Sequence, residues 1–197
     1  MLKQSIIQRA LGRSWDDLPH SLKQHYHFAT NEDVGSLTIE YPRFMQLPLN
    51  FLKLFGALIN RQGQDIETRV KKDVRNQKQY WQRTLTFADG SQTVFNSRWE
   101  YTNNNEIIEF VNPFLGLRMA VTVSNKELHY QGINYVLRMG WLQISIPEWM
   151  LLGHTSIVES AISEDSFQMN FRLTHPLLGQ IFCYRGRFKT VVTDESM

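Results

Sequence analysis

Between Val34 and Val192 apolar and polar residues alternate in a train of short segments, typified by Phe167-Gln168-Met169-Asn170-Phe171. Successive side chains of a strand point to opposite faces, so each segment has one face for a core and one for water. The pattern predicts strands near 66–73, 78–87, 92–100, 106–111, 117–123, 127–131, 134–146, 155–163, 166–174 and 180–192. An earlier strand at 36–41 is closed by Pro42. Asp89-Gly90 is a hairpin signal, and Ser124-Asn125-Lys126 and Ser163-Glu164-Asp165 are polar turns. Short connections make antiparallel neighbours. So many strands must dispose of their edges, which closing or strongly curving the sheet does. The predicted fold is mainly β: a single curved antiparallel sheet forming a barrel or half-barrel, with two or three N-terminal helices packed over one mouth.

Before the strands the period changes. Leu2, Ile6, Ile7, Ala10 and Leu11 form a helical stripe that Gly12 ends. Ser14 is a candidate N-cap for a second helix running to His27, with Leu18, Leu22 and Tyr26 on one face. Between Pro48 and Leu58 an apolar run predicts a short, heavily buried helix that plugs the barrel. Pro147 to Gly153 brackets a single helical turn. The chain reads as one domain over 1–197, helical with one strand to residue 60, antiparallel strands over 66–192, and a flexible tail at 193–197.

Composition adds bounds. Hydrophobic residues make up 42% and charged residues 20%, enough apolar material for a packed interior and too little charge for disorder. A net charge of +2 is too weak to argue for a nucleic-acid partner. Arg69, Lys71, Lys72, Arg75, Lys78 and Arg83 crowd together, which reads as the charged face of an edge strand. Cys183 is the lone cysteine, so no intrachain disulfide forms and a reducing cytoplasm suits the chain. No apolar run has signal-peptide or membrane-span length.

Candidate chemistry is sparse. The six histidines lack metal-ligand spacing and no HExxH occurs, so they read as ordinary surface or core residues. Cys183 in Ile181-Phe182-Cys183-Tyr184 reads as a small core residue. No nucleophile elbow, phosphate loop or dinucleotide fingerprint is present, and no metal or other cofactor is implied. The exceptions are carboxylates inside strands. Glu109 shares its face with Ile107 and Val111, and Glu159 sits among Ile157, Val158, Ala161 and Ile162. An inward carboxylate needs a cation or suffers a raised pKa. The candidate cations are Arg83, Arg118, Arg138 and Arg185. The strand aromatics either fill a core or wall a ligand cavity. In the second reading Trp81, Tyr130, Trp141 and Tyr184 supply walls while Arg83, Arg118, Glu109 and Glu159 orient a polar end.

Several spaced residues carry a family resemblance. Leu18-Pro19 with Leu22 and His25-Tyr26, Trp81-x-Arg83 before Phe95-x-Ser97, Glu109 before Gly116-Leu117, the Leu142 to Pro147 segment, Glu159, and Pro176-x-x-Gly179 leading to Tyr184-x-Gly186 resemble the uncharacterised bacterial domain of unknown function numbered 4166. No activity or binding residue comes with that resemblance. It implies an accessory module, since members occur alone or after NAD-dependent dehydrogenase-like or epimerase-like domains, and any such partner here is a separate polypeptide.

Three functions follow as expectations. The first is a non-enzymatic cytoplasmic module holding an apolar or amphipathic small molecule against the concave face of the sheet. The second is an enzyme, or an accessory subunit beside a separate NAD-dependent oxidoreductase, using a carboxylate with a tyrosine or arginine. The third is an interaction domain with a filled core.

Overall fold

The computed structural model describes residues 4–27 and 30–191. Eleven antiparallel strands follow in chain order: β1 Asn31–Glu40, β2 Gly63–Arg75, β3 Lys78–Thr86, β4 Gln92–Tyr101, β5 Glu106–Phe110, β6 Leu115–Ser124, β7 Glu127–Met139, β8 Leu142–Pro147, β9 His154–Ala161, β10 Ser166–His175 and β11 Gly179–Val191. Ten of them form a closed ring in the order β6-β5-β4-β3-β2-β1-β11-β10-β9-β7, sealed by β6 pairing with β7, and β8 hangs outside it on β7. The barrel is therefore closed, not half-open. Closure leaves the basic β2 and β3 no free edge, since each is paired on both sides. The edge-strand reading of that run is corrected. Arg69 and Lys71 point outward to water while Val70 and Lys72 point inward, as period two requires.

One long predicted strand at 134–146 is a hairpin. β7 runs unbroken to Met139, its register against β6 shifts by one residue near Ile133, and the chain turns at Gly140, where φ is +60°, into β8. Glycine takes that positive φ at no steric cost.

The helices divide between the two ends of the barrel. α1 (Ile6–Leu11) is started by a capping box of Ser5 and Gln8 and packs on β4, β5 and β6; the residues before 4, which the predicted helix included, lie outside the described residues. The second predicted helix does not begin at Ser14. Gly12–Asp17 is a 3-10 stretch, and α2 (His20–His27) starts only after Pro19. The residue before a proline avoids the helical region, so Leu18 interrupts the run. α2 packs on β9, β10 and β11. α3 (Gln46–Lys53) lies beyond the other end of β1, so the expectation of helices over one mouth is corrected to one cap on each. It is also less buried than predicted. Leu49 is fully enclosed and Leu52 partly so, but Leu47, Phe51 and Leu54 face out. The predicted 193–197 tail lies outside the described residues.

The two ends differ in character. At the α1 and α2 end the strands turn through polar residues: Asn76-Gln77, Asn104, Asn125-Lys126 and Ser163 to Asp165. At the α3 end Asp89-Gly90 makes a polar hairpin, while the other connections expose large apolar residues, Leu47, Phe51, Phe114, Trp141 and Leu177 among them. The outer wall mixes polar residues with scattered exposed apolar ones such as Val94 and Ile133, and over the outward Phe110 ring Arg98 and Arg138 lie at 5.0 and 4.2 Å, both pairing with Glu100, which also holds Lys78.

Candidate functional site

Inward residues of the ring enclose a cavity of about 230 Å³ between α2 and α3. Its walls are mostly apolar, including Val70, Leu85, Leu117, Ile157, Met169 and Phe171. Leu52 and Leu58 close it on the α3 side, while His25 and Tyr26 floor it from α2. Into this space β3 sends Trp81 and Arg83, β5 sends Glu109, β7 sends Tyr130, β9 sends Glu159 and β11 sends Tyr184. All six are sequence-predicted site residues, and their parity on each strand brings them together.

Two polar groupings cross the interior. Arg83 spans Glu109 at 3.2 Å and the Ser97 hydroxyl at 2.8 Å, its guanidinium 5.6 Å from the Trp81 ring and 5.5 Å from Phe95. This is the cation expected for Glu109. The second grouping is a relay: the Tyr130 hydroxyl donates to Tyr26 Oη at 2.7 Å, and Tyr26 donates to Glu159 Oε2 at 2.7 Å. Among the described residues no cation stands within ion-pair distance of Glu159, so the anticipated arginine partner is a tyrosine instead. Burial pushes the Glu159 carboxyl above its ordinary range, with His25 and the Tyr26 bond pulling the other way and Asp33 adding to the rise. Burial and then Glu159 push Tyr26 upward too, and the same pair acts on Tyr130. A carboxyl whose affinity for a proton burial raises, hydrogen-bonded to a phenol that is itself bonded to a second, has the form of a group that accepts and returns a proton.

Beneath the cavity lies a cluster that the sequence reading missed. His25 Nδ1 stands 2.8 Å from Asp33 Oδ2, and Thr190 donates to Asp33 Oδ1 at 2.7 Å. Lys72 Nζ and Asn31 both donate to the His25 carbonyl, at 2.7 and 2.8 Å. The His25 ring lies 5.3 Å from Trp81 and 4.5 Å from Phe167. Desolvation lowers Lys72 to about 7, opposed by Asp33. The signal was available but masked. The β1 strand begins five residues before the predicted Ser36, which leaves Asn31 and Asp33 outside the predicted strand, and Lys72 sits beside the outward Lys71 in a basic run.

The two remaining predicted residues lie outside. Arg118 is on the outward parity of β6 and pairs with Glu106. Trp141 occupies the β7–β8 turn and is 94% exposed. Arg138 and Arg185, the other candidate cations, pair with Glu100 and Glu40. Cys183 is a buried free thiol raised by burial and by Glu40. Among the described residues no cluster of histidine, cysteine and carboxylate side chains could hold a metal ion, and no helix is long and apolar enough to cross a membrane.

No curated protein and no solved structure matches the chain. A family model does, over residues 18–188, which takes in α2, α3 and all but the last residues of the barrel. The chain thus belongs to DUF4166, described as a domain of unknown function.

Proposed function

We propose that the barrel is a carrier or sensor for a small apolar or amphipathic molecule, held in the interior with its polar end at Arg83, Tyr184 and the Tyr130 hydroxyl. One observation carries the reading: an apolar cavity of about 230 Å³ into which buried polar groups from five strands converge. Apolar walls with a few placed polar groups are the general form of a small-molecule site. An engineered cavity of about 150 Å³ admits benzene, so this one suits a single ring or a short chain. Arg83 is neutralised by Glu109, which favours a neutral hydroxyl or carbonyl over a free anion. The buried indole N–H groups of Trp81 and Trp99 lack partners among the described residues and add two donors. The free thiol of Cys183 fits a cytoplasmic setting.

The test is native mass spectrometry of the chain purified from its host, together with titration by 1-octanol followed through tryptophan emission. The expected result is a co-purifying mass, or an octanol-dependent emission change and rise in Tm, lost in the cavity-filling variants Met169→Trp and Leu117→Phe. Wild-type protein carrying no added mass and responding to octanol no differently from both variants would falsify the reading.

A second reading is favoured by Glu159, a buried carboxyl hydrogen-bonded to a tyrosine and, among the described residues, with no cation in ion-pair distance. In it the relay moves a proton on the bound molecule, alone or beside a separate oxidoreductase. Glu159→Gln would then stop turnover of the co-purified molecule while leaving its binding within about threefold.

A further inference from the structure

We infer that the α3 end of the barrel docks on the surface of an anionic lipid bilayer, lying in the headgroup region without crossing the membrane. This goes beyond the ligand reading and does not need the cavity to be filled.

The strand register places five apolar connections on that one end. α3 follows the end of β1, and its outward face carries Leu47, Phe51 and Leu54 at spacings of four and three, with Phe55 edge-on to Phe51 at 5.1 Å. The β5–β6 loop carries exposed Phe114 and is tied to the α3 end by Asn112, whose side chain donates to the Phe55 carbonyl at 2.7 Å. β7 pairs with the start of β6, so its hairpin with β8 emerges beside Phe114 and presents Trp141. The chain before β9 exposes Trp149 and Met150, and the β10–β11 turn exposes Leu177 and Leu178. β9 and β10 meet there through His154 and Thr174. Scattered exposed apolar residues need no explanation, but a contiguous set on one end does.

Charge identifies the occupant. Within the segments 42–58, 110–117, 139–153 and 174–179 the one acid is Glu148, which is buried and bound to His154 and the Thr155 N–H, and the exposed acids Asp89 and Glu40 at this end are paired with Arg61 and Arg185. Exposed Arg43 and Lys53 flank the α3 stripe, and neither makes an ion pair among the described residues. An apolar helical stripe edged by lysine and arginine, with tryptophans beside it, matches the interface of an anionic leaflet. A tryptophan seats there with its ring among acyl chains and its N–H among headgroups. The walls stay in water, because Glu67, Arg69 and Lys71 point outward from β2, and the opposite end turns through asparagine, serine and acid. Leu52 and Leu58, which close the cavity, lie just under the docking face.

The test is co-sedimentation of the full chain with vesicles of phosphatidylcholine alone and of phosphatidylcholine mixed with phosphatidylglycerol. Preferential binding to the mixed vesicles is expected, with quenching of tryptophan emission when brominated phosphatidylcholine is included. Arg43→Gln with Lys53→Gln should weaken binding to the mixed vesicles about tenfold. Leu54→Ser with Trp141→Ser should weaken it by about as much. Both pairs are exposed, so Tm should hold. Met169→Trp should bind vesicles as the wild type does, which separates this proposal from the ligand reading. Failure of the wild type to bind either vesicle overturns it. So does a wild-type dimer that Trp141→Ser dissociates, which would assign the face to a second copy. Bromolipid quenching of the wild type needs no variant, and its absence also counts against the proposal.

Discussion

Lys72 shows how much rests on the direction of one side chain. It is fully buried between His25 and Trp81 and lowered to about 7 from an ordinary value of 10.5 by desolvation. Between those values the unfolded chain binds more protons than the folded one, so stability rises with pH across that window and is flat below it. Unfolding free energy by urea titration should climb at about 1 kcal/mol per pH unit between roughly pH 7.5 and 9.5. Lys72→Met should remove that slope while leaving the protein no less stable at pH 7, because an apolar chain of similar volume avoids burying a charge. A slope unchanged in the variant would place the titration elsewhere. Nothing local separated inward Trp81 and Arg83 from outward Trp141 and Arg118, but the apolar faces of Glu109 and Glu159 were legible, because period two assigns faces without any coordinates. Which cation met which carboxylate was not, since Arg83 and Glu109 lie 26 residues apart and join across three strands.

A single carboxylate fastens the turn after the β7–β8 hairpin to the barrel. Glu148 accepts from the Thr155 N–H at 2.9 Å and pairs with His154 at 2.7 Å, and it packs flat against Gly132, where a methyl group would land on its carboxylate. Gly132→Ala should therefore cost about 1–3 kcal/mol in denaturant unfolding. Its effect and that of Glu148→Ala should be strongly non-additive in a double-mutant cycle, because each disrupts the same contact. Additive losses would mean that Gly132 is needed for its backbone alone. Strand periodicity located ten of the segments, and Asp89-Gly90 announced its hairpin. It failed at 134–146, where apolar residues on both sides of Gly140 continued the rhythm through a turn. It also failed at Leu18-Pro19, where the helical stripe persisted across a 3-10 break.

At the scale of the molecule, ring closure separates the strands into two classes. Each of the ten ring strands is bonded on both sides, whereas β8 is bonded only to β7 and its side chains are almost all exposed. Amide hydrogen exchange should therefore protect β1, β2 and β11 up to the global unfolding free energy, while β8 exchanges through local opening. Protection of β8 equal to the ring would show that something covers its free edge. Closure also produces the interior, because ten strands leave a lumen that their inward side chains and the two helical caps do not fully occupy.

By itself the sequence determined that this chain is a β protein with inward carboxylates and aromatics, because hydropathy of period two is a local property written residue by residue. The tertiary structure decided that the ring closes, that Glu159 meets Tyr26 instead of an arginine, that His25, Asp33 and Lys72 gather beneath the cavity, and that the apolar loops share one end. Those are matters of strand order and register. They depend on which distant segments pair, and no local pattern encodes that.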